Sequence, residues 1–391
     1  MARGRIGIVS RTRLLYHPSV LALLQALPAR GYEVDVYGLD NVSFPVNLPP
    51  LKKLRFFGVF QRGPWESIAW RCQNLAHWLF YLIRQCHREK YECIIGLDAL
   101  GLILASAAAF LRRIPVVYFS LDLNLWDCAG SPYQKVVKWV ERFCNRSAAF
   151  TLIQDEDRAK LLVRENRISP AQVVYLPNAP LGEANPGKTR ILRETLGLED
   201  GRWLVLHAGT VDWWTSSLEL ARAARSWPEN LAMVFHDSIP LQTEYQHAFL
   251  THIDGQHTFL TEGPLALDRF TRLVRSADIG IALYPVSERD QNMFIMGLAS
   301  GKIAYYLQCG LPVVATGLPT LRKFIERYRC GICVDGVDEV LGAVQTIIND
   351  YEGFSQRALE CFKQEFQLDR FLPAIMEKLA EKVGGAPSVG M

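Results

Sequence analysis

Charge of one sign is scarce in this sequence: 43 lysines and arginines against 40 aspartates and glutamates leave a formal net charge of +3 over 391 residues. No basic run alternates with aromatics, so nucleic acid is not an expected partner. The nine cysteines (Cys72, Cys86, Cys93, Cys128, Cys144, Cys309, Cys330, Cys333 and Cys361) show no framework spacing, and no apolar segment stands behind the basic residues of "MARGRIGIVS". A disulfide scaffold is therefore not expected, and a reducing cytoplasm is. Cys330-Gly-Ile-Cys333 has the spacing of half a zinc or redox motif but lacks a second pair, so it reads as a turn before the strand "ICV", and no metal is expected. Glycine is missing where a dinucleotide enzyme needs it. The turn "SRTRLLYHPS" has none and "HAGTVDWWTSS" has one, while "NPGKT" at 185–189 lacks the first glycine of a phosphate loop. Bound nicotinamide, flavin or P-loop chemistry is thereby disfavoured, and no cofactor is expected.

What is present is alternation. A hydrophobic share of 49% with 21% charged residues over this length implies a globular chain with more than one core. "RIGIVS", "EVDVYG", "ECIIGL", "PVVYFSL", "AFTLI" and "QVVYLP" read as strands, separated by helical patterns at 17–30, 66–90, 99–112, 132–146 and 155–165. After the polar, Pro- and Gly-rich "NAPLGEANPGKT" the pattern restarts with "WLVLHAG", "LAMVFHD", "HTFL", "DIGIALYP", "PVVAT" and "GICVD". The predicted architecture is α/β, with two doubly wound, Rossmann-like domains at 1–178 and 190–368 joined by a linker at 179–189. The stretch 369–391 is expected to hold a helix that packs back on the first domain.

The stretch "SGKIAYYLQCGLPVVAT" at 300–316 reads as helix, turn at Gly310-Leu311-Pro312, and buried strand. A helix start carrying Ser300, Gly301 and Lys302 suits an anion, because free amides and a cation converge there; the alternative is a solvated first-turn lysine. Of the two tyrosines, one is expected in the core and one in a cleft, with Tyr306 assigned to packing and Tyr305 to a polar contact.

The succession "VVYLPNAP", "LHAGT", "SADIGIALYP" and "SGKIAYYLQCGLPVVAT" resembles the GT-B glycosyltransferases similar to glycosyltransferase family 4, most strongly from Leu152 to Asp335. The resemblance implies two domains facing across a cleft, with a nucleotide-diphosphate sugar on the second and an acceptor on the first. It implies transfer of the sugar without a bound metal, leaning towards retention of configuration. The family's paired glutamates are replaced here by Gly297 and Tyr305, and its usual Arg and Lys after the first donor-domain strand by Thr210, Asp212 and Trp213. Lys302, Tyr306, Leu307, Gly310, Pro312 and Val313 match a subset with the pattern K-x-x-x-Y-L-x-x-G-x-P-V.

On this reading Lys302 faces the donor diphosphate, Gly209 and Thr210 offer close backbone approach, and Glu288, Asp290 or Asn292 recognise sugar hydroxyls. Ser10, Arg11, His17 and Ser120 are candidate acceptor contacts. Asp98 is the first choice for the acceptor hydroxyl, with Asp122 competing; an N-cap is the other reading of Asp98, and a helix-start residue that of His17. His207 reads as a strand-interior residue. Expected partners are a UDP-, GDP- or dTDP-linked sugar and a glycan or lipid-linked acceptor in polysaccharide or glycolipid assembly. Residues 51–90, with Lys52, Lys53, Arg55, Arg62 and Arg84 among Trp65, Trp70, Trp78, Phe80 and Tyr81, are either a core stripe or a segment lying on the inner face of the membrane. The other class of reading is a non-catalytic subunit that binds a nucleotide sugar or a partner protein.

Overall fold

The computed structural model describes residues 4–11, 17–38, 54–58, 68–239, 241–285 and 290–383. The chain forms two compact units: the first runs to Leu181 and resumes at Leu368, and the second spans Gly182–Gln367.

The first unit is a sheet of β1 (Arg5–Val9), β2 (Glu33–Gly38), β3 (Leu54–Gly58), β4 (Tyr91–Leu97), β5 (Val116–Phe119), β6 (Phe150–Ile153) and β7 (Val173–Tyr175). All pairs are parallel, in the order β3-β2-β1-β4-β5-β6-β7. The strands are nearly continuous apolar runs because helices cover both faces: α1 (Pro18–Ala29), α2 (Ile68–Arg88), α3 (Asp98–Ala109), α4 (Pro132–Arg146) and α5 (Glu156–Asn166). Helix starts follow local chemistry. Pro18 opens α1, the Ser131 hydroxyl accepts from the Gln134 amide in a capping box ahead of α4, and Asp155 accepts from the Arg158 amide ahead of α5. Strand β3, "LRFFG", is an element the periodicity did not predict.

The second unit pairs β8 (Trp203–Ala208), β9 (Leu231–Asp237), β10 (Thr258–Glu262), β11 (Ile279–Ala282), β12 (Val313–Thr316) and β13 (Gly331–Val334) in the order β10-β9-β8-β11-β12-β13, again all parallel. Around it lie α6 (Ile191–Leu196), α7 (Ser217–Ala224), α8 (Glu244–Leu250), α9 (Leu267–Val274), α10 (Gln291–Phe294), α11 (Gly301–Gln308), α12 (Pro319–Tyr328), α13 (Val340–Asn349) and α14 (Tyr351–Cys361). Val205, Phe235, Ile281 and Val314 sit in one buried cluster beneath α7 and α13. The reading of 300–316 as helix, turn and strand is met by α11, Gly310 at φ 72° and β12; the left-handed glycine stops the helix without a Cβ clash. The last helix, α15 (Leu372–Val383), belongs to the first unit, and Leu368, Leu372, Ile375 and Leu379 around it are buried.

In each sheet the strand order reverses once, between β1 and β4 and between β8 and β11. Ligands of doubly wound sheets bind beyond the carboxyl ends of the strands at that reversal.

Candidate functional site

In the second unit four elements bring polar groups to the β8/β11 edge. Strand β8 ends in His207-Ala208, followed by Gly209 at φ 140°, a conformation that glycine alone adopts freely. A Cβ added at Gly209 would stand 3.0 Å from Cε of Lys302, so the missing side chain is what lets the lysine cross the strand end. Lys302 itself sits on the first turn of α11. Its Nζ lies 3.3 Å from Nε2 of His207 and 5.9 Å from the ring centre of Tyr284, which follows β11. The Tyr284 hydroxyl meets Ser300 Oγ at 2.7 Å, and the Ile303 amide donates to the same oxygen at 3.3 Å. Asp237, closing β9, accepts from the amides of Val211 (2.7 Å) and Ile239 (2.9 Å).

The electrostatics point to an anion. Burial pulls the Lys302 ammonium down to about 7, against the upward pull of the Asp237 carboxylate, and among the described residues no carboxylate lies within ion-pair distance of it. His207 is fully buried and held neutral, by burial first and by the Lys302 charge second. Its Nε2 also lies 3.2 Å from the Thr210 carbonyl oxygen, and its Nδ1 has no partner. With the proton on Nδ1 the ring accepts from a charged Lys302; with it on Nε2 the ring donates to Thr210. The imidazole thus accommodates either protonation state of the lysine.

Lys302, Gly209, Thr210 and Gly301 come together at this edge. Ser300 is there too, but as the buried cap of α11, its hydroxyl engaged by Tyr284 and Ile303. The expected division between the two tyrosines is corrected: both are buried. Tyr306 lies against Gly280, accepting from the Ala208 amide (2.8 Å) and donating to the Ile281 carbonyl (3.2 Å). Tyr305 packs edge-on against Phe270 of α9, with ring centres 5.0 Å apart, so covering from α9 removes the position expected for a polar contact. Asp290 caps α10, its Oδ1 accepting from the amides of Asn292 (3.1 Å) and Met293 (3.2 Å). Asn292 is half-buried in that short helix, and Glu288 lies outside the described residues. His207 is the strand-interior residue expected, yet it touches Lys302; with Asp237 and Tyr284 it is a member of the site that sequence reasoning did not gather. The available signal was a polar residue closing each apolar strand, in "LHAG", "FHD" and "LYP".

The corresponding edge of the first unit gathers the other candidates. Asp98 stands at φ 55°, a strained conformation for a side-chain-bearing residue, and its Oδ1 accepts from the amides of Leu121 (2.9 Å) and Asp122 (3.1 Å). The N-cap reading is thereby corrected: Leu97 holds the cap position of α3, and the Asp98 carboxylate orders the loop after β5 instead. Ser120, buried, donates from Oγ to the Asp122 carbonyl at 3.2 Å. His17 opens α1, where burial lowers its pKa and the Asp122 carboxylate raises it. Ser10 is buried with its amide donating to Tyr37 at 2.9 Å, and Arg11 beside it is half-buried. Asn178, from the motif "LPNAP", accepts from the amide (3.2 Å) and hydroxyl (2.9 Å) of Ser19 and so fastens the end of this unit to α1. Residues 51–53 and 59–67 of the aromatic, basic stretch, with Lys52, Lys53, Arg62 and Trp65, lie outside the described residues. In α2 the pattern is mixed: Trp78, Leu82 and Cys86 are core, whereas Phe80 is exposed. Among the described residues no three metal-ligating side chains converge, and no helix is long and apolar enough to cross a membrane.

Residues 16–179 match the family model described as the glycosyl transferase 4-like domain. Solved structures extend the likeness in fold over nearly all of the chain. Anabaena HepE in complex with UDP-glucose superposes with a TM-score of 0.72 at 16% identity, covering 97% of this chain and 99% of that one. Sucrose-phosphate synthase from Thermosynechococcus elongatus gives 0.68 at 15%, covering 98% and 100%. A putative UDP-N-acetylglucosamine 2-epimerase from Listeria monocytogenes gives 0.64 at 13%, covering 97% and 98%. No curated protein matches the sequence. The matched model over 16–179 and the shared fold agree with the resemblance to GT-B glycosyltransferases read from the sequence.

Proposed function

We propose that the chain transfers a sugar from a nucleotide-diphosphate donor held at the β8/β11 edge of the second unit to a hydroxyl of a glycan or lipid-linked acceptor held by the first. The observation that carries this reading is Lys302: a half-buried ammonium at the start of a helix, beside the bare backbone of Gly209, with no carboxylate within ion-pair distance among the described residues. A cation and free helix amides in that position stabilise a diphosphate and favour its departure. The acceptor oxygen bonds to the anomeric carbon, the bond from that carbon to the β-phosphate oxygen breaks, and the acceptor proton passes to the leaving phosphate or to a carboxylate. Asp122 and Asp98 are the carboxylates for that role, with neutral His17 alongside; Asp98 also positions the loop through its two amide bonds. UDP is the first donor to test, because HepE binds UDP-glucose on the same fold. We further propose independence of added metal, supported by the charge that Lys302 already supplies, and retention of configuration, following the family resemblance.

Thermal unfolding with UDP, GDP, dTDP or CDP, with and without magnesium, tests the donor half. One nucleotide at 100 times its dissociation constant is expected to stabilise the protein by about 2.7 kcal/mol without magnesium, and Lys302→Ala is expected to abolish the shift. Turnover with UDP-sugars is then expected to fall about 100- to 1000-fold in the same variant, and the anomeric proton coupling of the product reads the stereochemistry. An unaltered shift in Lys302→Ala rejects the assignment of the lysine. Interconversion of the donor sugar without transfer would place the chain with the epimerases that share its frame.

A further inference from the structure

Helix α4 wears its polar face inward. Lys138, Glu141 and Asn145 are fully buried. Lys138 donates to Asn166 Oδ1 at 2.6 Å and to both Glu141 oxygens at 3.4 Å, while Glu141 also accepts from Tyr118 (3.1 Å), Asn124 (2.8 Å) and Asn166 (3.0 Å). The apolar residues are left outside: Tyr133, Val136, Trp139 and Phe143, at successive helical spacings, are each about 60% exposed or more. Helix α3 packs against α4, and the turn that ends it puts out Phe110 (78% exposed) and Leu111 (65%). Solitary exposed apolar side chains are ordinary, but a stripe of this kind marks a binding surface.

Charge decides what the surface meets. Lys135 and Arg146 on α4, and Arg112 and Arg113 beside Phe110, are exposed, and Arg142 lies 5.8 Å from the ring of Trp126. The single acidic residue of α4 is Glu141, turned inward and paired. We propose that this outward face of α4, with Phe110 and Leu111, docks on the surface of an anionic lipid bilayer, aromatics entering the headgroup layer and the basic rim meeting lipid phosphates. Aromatic residues with flanking lysine and arginine are the chemistry that such an interface selects. A second copy of the chain would set two cationic rims against each other, which like-charge repulsion opposes. The proposal does not depend on the donor assignment, since lipid binding needs no turnover, and it moves the expected membrane contact from residues 51–90 to α4.

Co-sedimentation of the full chain with vesicles of phosphatidylcholine mixed with phosphatidylglycerol tests it, against phosphatidylcholine alone and against the double variant Trp139→Ser, Phe143→Ser. Both side chains are exposed, so the variant is expected to keep the thermal midpoint of the parent. Binding to the anionic vesicles is expected, weakened by salt, poorer without phosphatidylglycerol, and at least about tenfold poorer in the variant. A parent protein that stays in solution with anionic vesicles overturns the proposal, as does a variant that binds equally well. A concentration-dependent dimer abolished by the two substitutions also overturns it, because the face would then be covered by a second copy.

Discussion

Lys302 is held in a state that costs the fold something and serves binding. Its ammonium titrates at about 7 in the folded chain, against about 10.4 for an unperturbed lysine. The unfolded chain therefore binds more protons between those values, and stability is expected to rise with pH from about 7 upwards; below 7 the penalty of burying the charge is present in full. Affinity for a nucleoside diphosphate runs the other way. A bound anion raises the lysine's pKa, so binding above pH 7 takes up a proton, and the dissociation constant is expected to rise by up to about tenfold per pH unit. Calorimetry in buffers of different ionisation enthalpy is expected to show that uptake, and Lys302→Met is expected to remove it while stabilising the free protein at neutral pH. The lysine was legible in the sequence because a helix start followed by a turn and a buried strand is a local pattern. Its neighbours were not. His207, Asp237 and Tyr284 lie at or just beyond the ends of three strands that are sequence-distant, and only the parallel order of the sheet aligns those carboxyl ends.

At the level of elements, the strands and most helices were readable because a sheet covered on both faces needs apolar runs and the covering helices need a stripe. Strand β3 escaped because its five residues sit next to an aromatic, basic stretch that masks them. Helix α4 shows a subtler limit: periodicity reveals that a helix has two faces and does not say which one turns inward. Here Tyr118, Asn124, Thr151 and Asn166 provide polar partners, so the charged face is the one that is buried. Removing one charge of the pair is expected to be severe. Lys138→Met should lower unfolding free energy by about 3–5 kcal/mol in urea titrations by leaving Glu141 uncompensated, whereas Lys138→Met with Glu141→Leu should cost less than the single change.

Across the whole molecule, both sheets reverse strand order once and both gather their polar candidates at that reversal. The chain passes out of the first unit after Leu181 and returns to it at Leu368. Ending the chain at Gln367 removes Leu368, Leu372, Ile375 and Leu379, each 2% exposed or less, and should destabilise the first unit by several kcal/mol at about 1.5–3 kcal/mol per buried aliphatic side chain. The nucleotide response of the second unit should survive, which limited proteolysis with and without UDP would show as protection confined to Gly182–Gln367. The return of the chain also sets a timetable. At about 5–20 residues per second, a ribosome needs on the order of ten to forty seconds to make the second unit before it reaches α15. Throughout that interval the nascent first unit lacks its closing helix, while the aromatic face of α4 is already out of the tunnel and open to a nearby membrane or a chaperone.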